Sequence, residues 1–116
     1  MRRGVGGLVL TTLLLLPVAA CAGSASSNAG PVATDHVDLP QSYLFSPPDI
    51  VVKAGATVTW KNLDNFTHSV RLIASGQVVG IMKPGDTVSF TFAKAGTYAY
   101  DCSFHPQNMK GTVTVQ

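Results

Sequence analysis

From Ile50 onward, apolar and polar side chains alternate with a period of two. Val58 and Trp60 are flanked by Thr57, Thr59 and Lys61; Val88, Phe90 and Phe92 by Thr87, Ser89 and Thr91; Tyr98, Tyr100 and Cys102 by Ala99 and Asp101; Val113 and Val115 by Thr112 and Thr114. Successive side chains of an extended strand point to opposite faces, so this pattern predicts half-buried β-strands. Turn-forming clusters separate them at Pro47-Pro48-Asp49, Ala54-Gly55-Ala56, Asp64-Asn65, Ser75-Gly76, Lys83-Pro84-Gly85-Asp86 and Lys94-Ala95-Gly96-Thr97. No segment carries a helical stripe. The expectation is an all-β, antiparallel Greek-key sandwich of about seven or eight strands. Its core should hold Ile50, Val52, Val58, Trp60, Val70, Leu72, Val88, Phe90, Phe92, Tyr98, Tyr100, Val113 and Val115.

The alternation is absent from residues 1–34. Arg2 and Arg3 precede an apolar run from Val5 to Ala20, the layout of a secretory signal, and the run ends at Val18-Ala19-Ala20-Cys21. Small residues directly before a cysteine resemble a bacterial lipobox, which implies removal of residues 1–20 and a diacylglyceryl group on Cys21. The protein would then be extracytoplasmic and anchored to a membrane without spanning it. Residues 21–34 are small, polar and rich in Gly and Ser, the composition of a flexible tether. A tether of this length reaches roughly 20 Å r.m.s.. The folded domain is expected over residues 35–116.

Charge narrows the function. Of eight Lys and Arg residues, Arg2 and Arg3 leave with the signal, and the remaining six balance six Asp. There is no Glu and no basic cluster, so nucleic-acid binding has no electrostatic footing. With lipid on Cys21, Cys102 is an unpaired thiol in an oxidising compartment, a liability unless it is buried or holds a metal.

Cys102, His105 and Met109 fall within eight residues, and His68 lies upstream. Cys102 continues the inward face set by Tyr98 and Tyr100 to the end of a strand; His105 and Met109 sit in the loop that follows, and Gly111 lets the chain return into the last strand. Singly, Cys102 reads as a buried structural residue and His68 as an ordinary histidine. Together they offer one thiolate, two imidazoles and one thioether. Copper and zinc both accept thiolate and imidazole, but a thioether is a poor zinc ligand, and His2Cys with a weak axial Met is a blue-copper set. Zinc, and a nucleophilic Cys102–His105 pair, are the competing readings. His36 reads as a strand-edge residue and Met82 as a core or loop residue.

The segments Ile50–Asn62, His68–Val70, Gly96–His105 and Met109–Val115 resemble the cupredoxins, the small blue-copper proteins related to plastocyanin, amicyanin, pseudoazurin and azurin. The resemblance implies one type 1 copper ion cycling between Cu(I) and Cu(II), with His68, Cys102 and His105 as equatorial ligands and Met109 as the axial one. Three residues separate His105 from Met109, one off the spacing of close relatives. It further implies one-electron transfer between redox partner proteins by a monomer without enzymatic activity. Ser69 and Ser103 are expected to tie the ligand segments together, and Pro106, Phe104 and Phe66 to form an apolar docking patch beside His105. A copper chaperone or scavenger is the alternative function, and it would need a more open site.

Overall fold

The strands that alternate bury one face of the alternation. In β4 (Ala56–Asn62) the side chains of Val58, Trp60 and Asn62 are buried and those of Thr57 and Lys61 exposed; in β9 (Lys110–Val115), Gly111, Val113 and Val115 are buried. The structure, a computed structural model, describes residues 30–116 together with Gly4, Gly6 and Gly7. The predicted signal segment, Cys21 and most of the predicted tether lie outside the described residues.

The other strands are β1 (Val32–Ala33), β2 (His36–Leu39), β3 (Asp49–Val52), β5 (His68–Leu72), β6 (Val78–Met82), β7 (Thr87–Phe92) and β8 (Gly96–Asp101). They form a Greek-key β-sandwich, as expected. One sheet has the order β1-β3-β9-β8-β5-β6 and the other β2-β4-β7. Three pairings, β1–β3, β2–β4 and β3–β9, are parallel, so the sheets are mixed and depart from the antiparallel expectation. The parallel pairs arise because the chain crosses from one sheet to the other between β1 and β2, β2 and β3, and β3 and β4. Val32 and Ala33 pair with Ile50 and Val51, so the folded part begins ahead of Asp35, within the stretch whose composition suggests a tether.

Ten of the predicted core residues are buried. Val88, Phe90 and Tyr98 are only partly buried. Val88 and Phe90 lie on β7, an edge strand of the narrower sheet. Val37, Leu39, Phe45, Met82, Cys102 and Met109 complete the core. Full burial of such side chains contributes about 1.5–3 kcal/mol each.

Gly111 has a stricter requirement than chain reversal. A Cβ there would collide with the Pro48 carbonyl oxygen and stand 2.5 Å from the Tyr100 phenol oxygen. The phenol itself donates to that carbonyl across 3.0 Å, locking β8 to the start of β3. Four connections gather at one end of the sandwich: β2–β3, β4–β5, β6–β7 and β8–β9. Asn62 ties two of them, its amide donating to the Asp86 carbonyl (2.9 Å) and its carbonyl accepting from Gly85 (2.9 Å).

Candidate metal centre

The β8–β9 connection is a tight loop. The Cys102 amide donates to the Met109 carbonyl (3.2 Å), and the amides of His105 and Met109 donate to the carbonyls of Cys102 (3.1 Å) and His105 (3.0 Å). These bonds fold residues 102–109 back on themselves and return the His105 ring to Cys102. His68 arrives from the other side as the first residue of β5, opposite Met82.

The result is a convergent cluster. Cys102 Sγ is 3.9 Å from His68 Nδ1 and 3.9 Å from His105 Nδ1, and all three atoms lie within 4.8 Å of one another. Cys102, His68 and Met109 are fully buried, while His105 is half-buried. One metal ion with bonds of about 2.0 Å to nitrogen and about 2.3 Å to sulfur would reach all three atoms across these spans. A thiolate and two imidazoles, with a buried thioether in the same loop, is a donor set for copper rather than for structural zinc.

The sulfur is held in place by β5. The Ser69 amide donates to Cys102 Sγ (3.3 Å), and Ser69 Oγ accepts from the Ser103 amide (2.8 Å) and lies 2.6 Å from Ser103 Oγ. Ser69 and Ser103 thus bridge the two ligand segments as expected. Next to the thiol, Asp101 takes a bidentate ion pair from Arg71 (2.9 and 2.8 Å), which raises the guanidinium pKa above its ordinary value.

Two residues of the site go beyond the sequence expectation. Asp64, a turn residue by its sequence context, is buried and accepts from His68: Oδ2 lies 2.8 Å from Nε2. That hydrogen bond holds the Asp64 carboxyl below its ordinary range despite the opposing effect of burial. Tyr43, in the β2–β3 connection, stacks on Phe66 (5.7 Å between ring centroids) and packs against His105 (4.6 Å) and His68 (5.8 Å). Both Tyr43 and its neighbour Ser42 are left-handed, with φ of 57° and 93°. For residues other than glycine this costs on the order of 1–2 kcal/mol each, a strain concentrated beside the cluster.

Around His105 the surface is apolar. Phe66 is 55% and Phe104 51% exposed, with Leu44, Leu63 and Pro106 also exposed nearby in sequence. Phe104, His105 and Pro106, with the polar Gln107 and Asn108, line a shallow hollow of about 270 Å³. A larger one of about 470 Å³, at the opposite end beside Val52 and Gln116, has no His or Cys in its wall.

The sequence profile of the copper binding proteins of the plastocyanin/azurin family matches residues 36–116. This chain belongs to that family. It is a cupredoxin, and its cofactor is copper. It is 38% identical over 85 residues to the plastocyanin of Scenedesmus fuscus, covering 63% of this chain and 87% of that one. To the amicyanin of Paracoccus denitrificans it is 39% identical over 79 residues, covering 62% of this chain and 58% of the relative. Among solved structures, a purple cupredoxin from Nitrosopumilus maritimus matches with a TM-score of 0.61 and 31% identity, over 70% of this chain and 98% of that one. An oxidized amicyanin variant matches with a TM-score of 0.65 and 35% identity, over 73% and 86%.

Proposed function

We propose that this protein carries single electrons between redox proteins on the outer side of a bacterial membrane. His68, Cys102 and His105, together with Met109, would hold one type 1 copper ion, and a lipid on Cys21 would anchor the chain. The convergence of the two Nδ1 atoms on Cys102 Sγ at 3.9 Å carries the copper assignment. The anchor rests on sequence alone: the signal-like residues 1–20, the small residues before Cys21 and the Gly/Ser-rich stretch that follows. Among the described residues, no helix is long and apolar enough to cross a membrane.

When bound, copper supplies the Cu(I)/Cu(II) couple. The residues supply rigidity. Ser69 and the Cys102–Met109 loop bonds fix the sulfur, Asp64 fixes His68, and Tyr43 flanks both imidazoles, so little has to move when the charge changes. His105 is the half-buried ligand, and Phe66, Phe104 and Pro106 offer an uncharged surface for a partner's close approach.

Enclosure supports a carrier over a copper chaperone, which must exchange its ion. Cycling the copper-loaded domain between ascorbate and ferricyanide in the presence of a Cu(I) chelator tests this. Retention of copper over repeated cycles is the expected result, and release on each reduction would move the assignment to copper handling.

A further inference from the structure

The two imidazoles of the cluster are held unequally. His68 Nε2 meets the Asp64 carboxylate at 2.8 Å, whereas His105 has no such anchor among the described residues. Asp64 is itself built in. Its Oδ1 accepts from the Asn65 amide (2.7 Å), and its amide donates to Asn62 Oδ1 (2.9 Å). Asn62 Nδ2 in turn donates to the carbonyls of Phe66 (2.8 Å) and Met82 (3.0 Å). Asn62 is fully buried and Asp64 only 4% exposed, so this lacing fixes the carboxylate behind the ring.

Two consequences follow from elementary chemistry. A carboxylate only accepts, so Nε2 is the ring nitrogen that carries a proton toward it, and Nδ1 is the nitrogen left facing Cys102 to bind a metal. The second consequence concerns charge. Of the carboxylates flanking the cluster, Asp101 is held in a two-pronged pairing with Arg71, whereas Asp64 pairs with no Lys or Arg among the described residues and places its carboxylate at low dielectric directly behind a ligand ring. A buried negative charge favours the more positive of two metal oxidation states.

We infer that Asp64 is a positioning residue that sets the His68 tautomer for metal binding and lowers the reduction potential of the site. The potential part rests on the copper reading above; the tautomer part does not. The test has two arms. In metal-free wild-type protein, nitrogen-15 NMR of His68 reports which ring nitrogen is protonated: Nε2 is expected, and a proton on Nδ1 would overturn the inference.

In copper-loaded protein, Asp64→Asn keeps an acceptor near Nε2 but removes the charge. It should weaken Cu(II) relative to Cu(I) binding about tenfold, a rise of about 59 mV for one electron. A potential unchanged from wild type would overturn the charge role, because a merely structural residue would alter stability and leave the couple in place. Failure of the wild-type protein to take up copper would instead defeat the copper reading, with the tautomer measurement still deciding the claim about Asp64.

Discussion

The Ser69 amide donates to Cys102 Sγ across 3.3 Å, so the strand that opens with His68 also holds the sulfur of the other ligand segment. The hydroxyl of the same residue accepts from the Ser103 amide at 2.8 Å. Ser69→Ala keeps the first bond and strands the second donor. It should destabilise the metal-free protein by about 1 kcal/mol, the cost of leaving a part-buried amide unsatisfied, while copper absorption is retained. The denaturant midpoint measures the first outcome and the visible spectrum the second; loss of colour with stability intact would contradict this division of roles.

Gly111→Ala probes the most tightly enclosed of the described glycines. The added methyl would collide with the Pro48 carbonyl and the Tyr100 phenol, and the carbonyl belongs to a neighbouring chain segment with no side-chain torsion to relieve it. Destabilisation at or above about 3 kcal/mol is expected. Gly55→Ala is the comparison, with a φ of +89° but nothing within 4 Å of its Cβ, and should cost only about 1–2 kcal/mol. Equal losses in denaturation experiments would refute the steric reading.

Burial pushes the Tyr100 phenol well above its ordinary value of 10.0. The unfolded chain releases that proton first and then binds fewer protons than the native state, so stability falls as pH rises. The contribution is constant below pH ~10 and declines above it by up to about 1.4 kcal/mol per pH unit. Tyr100→Phe cannot ionise but loses the bond to Pro48, about 1 kcal/mol. The stability advantage of wild type over this variant should be flat from pH ~7 to ~9 and shrink above ~10. A constant difference would count against it.

Alternation locates most of the strands from the sequence because each has a wet and a dry face. The four proposed ligands stand out because a strand end and the loop after it place three of them within a few residues. Asp64 does not stand out: its link to His68 depends on the Asn62 lacing of an irregular loop, and no periodicity encodes that. Tyr43 is hidden for the same reason, since a left-handed backbone at positions 42 and 43 decides where its ring goes. Of the two strands ahead of Asp49, Val32–Ala33 is too short and exposed to leave a pattern, and His36–Leu39 alternates for only four residues, while its parallel pairing with β4 gives no hairpin signal.

Copper bound only by the native state should raise stability by mass action, about 2.7 kcal/mol at a hundredfold excess over the dissociation constant. For a domain of this size that corresponds to a melting temperature about 10–20 °C higher than that of the metal-free form. Calorimetry before and after removal of copper by cyanide measures it. Identical melting curves would mean that the metal does not engage the folded domain.

The most direct test of the copper centre is titration of the metal-free domain with Cu(II), followed by visible absorption, in wild type and in Cys102→Ser. An intense thiolate-to-copper band that saturates at one equivalent, bleaches reversibly with ascorbate and is absent from the variant is the predicted result. A colourless wild-type product, or the same spectrum without the Cys102 sulfur, would contradict it.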